Sequence, residues 1–506
     1  MDVLISAIVG DLVSRSASFV ISKYFQKQPG IDEILQRLDR VVLRIDIVIE
    51  EAQGRHITNQ GMLRQLGVLR QGMYRGCYML DALRFQAALD EEVSHSSSVL
   101  SKSSPAKRIC FSRPCSGSNN RKALLFDINN NIREELQRMV DTLEGTMAGV
   151  KEFLFFLELY PRIVRQPYGT YLILDNCMFG RQTEREQILN FLLCPNATPD
   201  LAVLPIVGPI RVGKSTLVEY VCRDASVRGR FSMIVFFPEG SLKYEGVIDL
   251  KGNNINGLVR HRNCASQNRL LIIVEITEGI NEAAWTRLKS SVTSMTPCSG
   301  SKIIITSRSD IIANLGTTEA LRLDFLPPEA YWHFFKSLAF GSTKPDDQPK
   351  LAIMAMEIAL EQTQCFKSAL IIAGLLRDNF NAQFWCTVLQ CVRAYKQTHF
   401  LMSDKHPNLC LREDEPVYYW RLARSSKYFL VCNHHQLDSG EEIPKISVHD
   451  IILGCGGTLP RGKFEALAWR SRIPPYYNYK ISCKLQTPQP MVKRKKRVSR
   501  HERHFI

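Results

Sequence analysis

Between Leu201 and Val221 the chain sets an apolar run, a glycine-bounded loop and a second apolar run of different period in direct succession, and few folds accept all three. The first run, Leu201-Ala202-Val203-Leu204-Pro205-Ile206-Val207, offers no polar side chain to solvent, which predicts a strand buried on both faces. The second, Leu217-Val218-Glu219-Tyr220-Val221, continues at helical spacing. Joining them, Gly208-Pro209-Ile210-Arg211-Val212-Gly213-Lys214-Ser215-Thr216 fits G-x-x-x-x-G-K-[ST], the P-loop pattern. Phosphate binding needs strand, loop and helix in that order. Glycines let the backbone wrap an anion with several N–H groups pointing inward, and the new helix turns its positive end to the same place. Lys214 supplies a mobile charge for the outer phosphates, and the Ser215 hydroxyl supplies a ligand for Mg2+.

Met233–Phe237, Leu270–Ile276 and Lys302–Ile305 are further short apolar runs, alternating with helical patterns. They predict a parallel sheet covered by helices across residues 175–325. A magnesium site wants a carboxylate at the end of a neighbouring strand, and Leu270–Val274 runs into Glu275. Ile276 stands where a second carboxylate would help activate water. The strand from Lys302 ends in Thr306-Ser307-Arg308, which makes Arg308 the candidate sensor of a terminal phosphate.

Ahead of this domain the texture is helical. Ile34, Leu35, Leu38, Val41, Val42, Ile45 and Val48 form a three-four stripe, and Leu66, Leu69, Met73, Met79, Leu80 and Leu83 form another. Serines, Pro105, Pro114 and Gly117 mark 94–122 as a loop, and Leu136, Met139, Val140, Leu143, Val150 and Leu154 resume the helical period. Residues 1–160 therefore read as a four-helix bundle whose first helix begins near Met1. Asp2 and Asp11 interrupt that apolar start and argue against a signal peptide. Residues 326–395 are helical again. Beyond residue 400 the signal weakens to candidate strands at Tyr428-Phe429-Leu430-Val431 and Ile446-Ser447-Val448. The fold class is thus multidomain α and α/β.

Composition adds limits. The sequence is 45% hydrophobic and 23% charged, the balance of a folded protein, and no window is long and apolar enough to predict a membrane span. Fifteen scattered cysteines without a CxxC pair fit reduced thiols in a cytoplasmic or nuclear protein. Much of the net charge of +15 lies in the run from Lys493 to Arg500. That predicts a disordered basic tail over 486–506, suited to an import receptor first, then to an acidic lipid surface, or serving only to solubilise the chain. A nucleic-acid reading ranks last, because no surface of basic and aromatic residues accompanies the tail.

In this order the motifs resemble the plant NB-ARC immune receptors of the coiled-coil class, the NLR-like proteins, over roughly residues 1–375. Phe179-Gly180-Arg181 with Glu184-Arg185-Glu186 looks like the family's adenine-binding segment, and Leu271–Glu275, with Trp285 downstream, sits where its second kinase motif belongs. Gly300–Arg308 is similar to the arginine-bearing third motif, and Glu329–Phe335 to the helix that follows it. Leu69–Tyr74 and Leu80-Asp81 fall where the helical domain carries an acidic motif, here reduced to Asp81 by Arg75, Gly76, Cys77 and Tyr78. The Gly-Leu-Pro-Leu motif maps onto Cys365-Phe366-Lys367-Ser368 and has lost the proline that packs on adenine. Val448-His449-Asp450 resembles the motif whose histidine reads the diphosphate. The family's leucine-rich repeats are missing, so the resemblance implies a truncated or regulatory form.

The resemblance implies an ARC1-like helical domain at 326–395 and a degenerate winged-helix, ARC2-like region at 396–485. It implies an ADP/ATP-dependent defence switch with Mg2+ that hydrolyses slowly or not at all. Its bundle would contact other immune receptors or signalling proteins, or a second copy. An active ATPase, and a scaffold or decoy that has lost nucleotide binding, are the alternatives. Nucleotide would be held by Phe179, Gly180, Arg181, Gly208, Arg211, Val212, Gly213, Lys214, Ser215, Thr216, Arg308 and His449, and metal by Ser215 and Glu275.

Overall fold

The computed structural model describes residues 31–95, 121–161, 178–195, 201–238, 258–262, 269–276, 282–295, 300–362, 364–403, 417–419, 421–422, 428–436, 442–454, 462–471, 476 and 478–486. The expected first helix, the body of the 94–122 loop and the basic tail lie outside these residues. Two compact units divide the chain, one holding the described residues up to Trp385 and the other those from Cys386 onward.

The first unit opens with α1 (Ile31–Gln53), α2 (Gln60–His95), α3 (Arg121–Ala148) and α4 (Val150–Leu157). The stripe on α1 is its buried face, from Ile34 through Val48, and it packs on α2 and α3. Between α3 and α4 the helix breaks at Gly149, which caps α4 with no side-chain bond. The helical period running from Leu136 to Leu154 is therefore divided between two helices.

A six-stranded sheet follows, built from β1 (Ala202–Val207), β2 (Met233–Phe237), β3 (Leu258–Arg262), β4 (Leu270–Ile276), β5 (Lys302–Ser307) and β6 (Leu321–Arg322). Its order is β3-β2-β4-β5-β1-β6, and only the β2–β3 pair is antiparallel. Each central strand buries both faces. Leu271 and Ile273 join Leu204, Ile206 and Ile304 under α5 (Gln182–Leu193), α6 (Lys214–Cys222) and α7 (Ala225–Arg230). Leu270, Ile272 and Val274 join Val203, Val207, Ile303 and Ile305 under α8 (Glu282–Met295), whose Trp285 is 4% exposed. Because successive side chains leave a strand on opposite faces, an all-apolar run needs both layers of helix.

Helices α9 (Pro328–Phe340), α10 (Pro349–Leu360) and α11 (Phe366–Asp378) complete this unit. α9 packs on α10, α11 and α2, and Tyr331, Trp332 and Phe335 are almost fully buried there. The start of α12 (Ala382–Ser403) adds Trp385, whose indole Nε1 donates to the carbonyls of Leu376 and Asn379 at 3.0 Å each.

The second unit contains a four-stranded antiparallel sheet in the order β7-β8-β10-β9, from β7 (Val417–Tyr419), β8 (Tyr428–Gln436), β9 (Lys463–Arg470) and β10 (Asn478–Gln486). The predicted strand at Tyr428 is thus present and longer than expected. Of the candidate strand Ile446-Ser447-Val448 only a single bridge from Ser447 to Leu467 of β9 forms, and Val448 starts α13 (Val448–Leu453). A capping box decides it: the Asp450 N–H donates to Ser447 Oγ at 3.1 Å, and the Ser447 N–H donates to the Asp450 carboxylate at 2.9 Å.

Candidate functional site

The loop 208–213 runs from the tip of β1 to the first residue of α6. Gly208 lies so close to the neighbouring chain that a Cβ there would stand 2.2 Å from the Leu323 carbonyl oxygen, so no other residue fits. Gly213 caps α6 with φ of 96° and no side-chain bond, leaving the helix's first N–H groups without a side-chain partner. Arg211 also has positive φ, 65°, a backbone state uncommon outside glycine and a mark of strain held by its surroundings.

Lys214 folds its ammonium back over the loop, donating to the carbonyls of Gly208 at 2.7 Å and Pro209 at 2.9 Å. Burial pushes its pKa down to about 8; Glu275 opposes the shift and Arg308 adds to it. Ser215 Oγ donates to Glu275 Oε1 at 2.7 Å. Loop, helix start and the ends of β4 and β5 thereby bring Lys214, Ser215, Glu275 and Arg308 into one site. Thr216 follows on α6, and Val212 is buried in the core beneath the loop.

Thr306 was no candidate from the sequence. It pairs with Glu275 in the register of β5 on β4, and its Oγ1 is buried without a partner among the described residues. The signal was present, since a hydroxyl ending an isoleucine run has little reason to be buried unless something binds it.

The adenine-segment residues are placed differently. Phe179 stacks on Phe334 with ring centroids 5.0 Å apart and on His333 at 6.0 Å. Gly180 takes φ of 69°. Arg181 pairs with Glu184 at 3.1 Å, donates to the Asp324 carbonyl and stands over the Phe366 ring.

Disease resistance RPP13-like protein 1 of Arabidopsis thaliana is 23% identical to this chain over 407 residues, which cover 77% of the chain and 37% of that protein. Disease resistance protein RGA2 of Solanum bulbocastanum is 22% identical over 374 residues, 70% of the chain and 36% of that protein. The chain is similar to plant disease resistance proteins. Disease resistance protein RGA1 of the same Solanum species is similar to it at 21% identity, over 70% of the chain and 35% of that relative. The chain spans little more than a third of the length of these relatives. No family model matches it.

On α2, the Asp81 carboxylate has partners on α9. Asp81 Oδ2 accepts from Trp332 Nε1 at 2.8 Å and from Lys336 Nζ at 2.5 Å, tying α2 to α9. At the position of the missing proline, Lys367 is close enough to Arg211 to feel its charge. Burial first, and then Arg211, bring its pKa down to about 8. His449 belongs to the other compact unit, as the second residue of α13.

Proposed function

We propose that this NLR-like chain is a nucleotide-dependent signalling switch in plant defence, holding ADP or ATP at residues 208–216. What supports the reading most directly is the bonding of Lys214 and Ser215. Lys214 is satisfied by two loop carbonyls and Ser215 by Glu275, at a helix start that no side chain caps. These are the groups that a polyphosphate and its cation would engage instead. Ser215 and Glu275, one hydrogen bond apart, suit a Mg2+ ion that keeps its waters and takes one carboxylate. When bound, Mg2+ would neutralise phosphate charge there. Among the described residues no group of three or more His, Cys, Asp or Glu could hold a metal by itself, so the ion would depend on the nucleotide.

Within that site Lys214 binds the outer phosphates, the 208–213 backbone orients them, and Arg308 reads the terminal one. The apolar Ile276 after Glu275 leaves water without a second carboxylate to align it, so hydrolysis is slow or absent. A switch needs only that ADP and ATP prefer different arrangements; a full swing takes about 5.5 kcal/mol of differential binding. The output would be contact of the helical bundle with other immune receptors or signalling proteins, in the cytoplasm or nucleus. Among the described residues no helix is long and apolar enough to cross a membrane.

The nucleotide that co-purifies with the full chain identifies the resting state, and fluorescent ADP binding to wild type and Lys214→Ala tests the site. The expected result is bound ADP and a weakened variant. Equal binding by the two proteins would overturn the reading. Fast single-turnover ATP hydrolysis would replace the switch with a working ATPase.

A further inference from the structure

Arg70 belongs to the helix stretch that corresponds to the acidic motif, and the nucleotide site makes no use of it. The residue is only 5% exposed, and its guanidinium makes one long bond, from Nη1 to Thr183 Oγ1 at 3.4 Å. Its Nε and Nη2 meet neither solvent nor any acceptor among the described residues. A guanidinium offers five donors and stays charged, so burying it with most of them unused is costly. Burial lowers its hold on its proton, with Tyr74 and Glu184 opposing. Glu184, however, is already engaged by Arg181 at 3.1 Å.

Arg70 borders a half-open cavity of about 340 Å³ lined by α2, the start of α5, β6 and the start of α9. That is the size of a small-ligand site, roughly 300–1,000 Å³. Two helix N-termini open on it, α5 after Arg181 and α9 after Pro327, and neither carries a side-chain cap. Arg64 stands on its rim. Arg322 does too, although it is paired with Asp310, and the second acidic residue of the lining, Glu329, faces Arg75 at 4.0 Å. Leu63 and Leu326 give the wall an apolar stretch, and a Cβ placed on Gly67 would meet nothing within 4 Å.

The geometry points to a second ligand site: this cavity binds a phosphorylated small molecule, its phosphate against Arg70 and the two helix starts and its uncharged body along Leu63 and Leu326. Turning the guanidinium toward the cavity gives up only the long bond to Thr183. A forked guanidinium and the N–H groups of two helix starts, fewer at α9 where Pro327 and Pro328 carry none, offer more donors than the two oxygens of a carboxylate can take, whereas a phosphate can use them. None of residues 208–216 lines the cavity, so the site is separate from the P-loop. Its occupant would touch α2 of the bundle together with α5 and α9, fastening the bundle to the sheet domain.

Calorimetry on the full chain, with and without saturating ADP, tests this with phenyl phosphate, benzoate and inorganic phosphate as probes. Phenyl phosphate is expected to bind whether or not ADP is present, and more tightly than either other probe. Arg70→Gln should weaken it by roughly tenfold or more, the loss of about one charge-assisted hydrogen bond, and Gly67→Leu should weaken it by filling the space the ligand's body needs. Gly67→Leu keeps the test open if Arg70→Gln fails to fold. The proposal is overturned if phenyl phosphate gives no heat, if ADP abolishes its binding, if benzoate binds as well, or if a folded variant binds like wild type.

Discussion

Lys214 makes the proposed nucleotide site measurable through pH. With its pKa lowered by burial to about 8, the free protein loses this charge just above neutrality. A bound polyphosphate favours the ammonium form and raises that pKa again, so binding takes up a proton wherever Lys214 was neutral. ADP affinity should therefore be flat below pH 8 and fall as pH rises past it. Titrations at pH 8.5 in buffers of different ionisation enthalpy should show proton uptake, and Lys214→Ala should abolish both effects. That variant should also bind roughly ten- to a hundredfold more weakly, the worth of a charge-assisted bond. A pH profile in the variant that matches wild type would move the effect to another group, Lys367 first. The strand–loop–helix turn at 208–216 was legible in the sequence because its glycines, lysine and hydroxyl are contiguous. The surroundings of Arg70 were not, since its one bond goes to Thr183, 113 residues away in sequence.

Among the elements, α2 carries the most informative differences. Asp81 on this helix meets Trp332 and Lys336 of α9, with side chains 9% exposed for Asp81 and 18% for Lys336. Asp81→Ala leaves Lys336 charged and buried without its carboxylate, and should cost about 3 kcal/mol in denaturant unfolding. The double variant Asp81→Ala, Lys336→Met should recover part of that loss; no recovery would mean the pair is not the cause. Two glycines of the same helix should respond with opposite signs. At Gly76 a Cβ would stand 2.4 Å from Val42 Cγ2, so Gly76→Ala forces α1 away and destabilises by about 1–3 kcal/mol. Gly67 faces open space, so Gly67→Ala gains helix propensity, up to about 1 kcal/mol. Urea midpoints of the two variants on the same side of wild type would contradict the helix contact. The apolar stripe of α1 and the strands β1, β2, β4 and β5 could be read from period and apolar run. Ile446-Ser447-Val448 misled because two apolar residues around a serine look like a strand, while the deciding signal is Asp450 three residues beyond Ser447.

For the molecule as a whole, the sequence shows domains in order but not how a bundle is held against a sheet domain. That hold is distributed over side chains far apart in sequence. Asn190 of α5 donates to the carbonyls of Ile57 and Thr58 at 3.3 Å, and His56 Nδ1 meets Glu186 Oε2 at 2.5 Å. The hydrogen bond to Glu186 is the largest influence on His56 and raises its pKa; burial opposes it. A histidine whose folded pKa is raised contributes fully below its unfolded value, about 6.5, and the contribution disappears as pH rises through the folded value. The bundle should therefore hold the sheet domain most firmly below the unfolded value and loosen as the pH rises through the raised pKa of His56. Hydrogen exchange at residues 55–58 and along α5 would register this as faster opening at higher pH, after correction for intrinsic exchange. In His56→Gln the corrected opening should be the same across that range. If wild type shows that same flat behaviour, the histidine pair does not hold the bundle, and the neutral contacts of Asn190 must carry the junction instead.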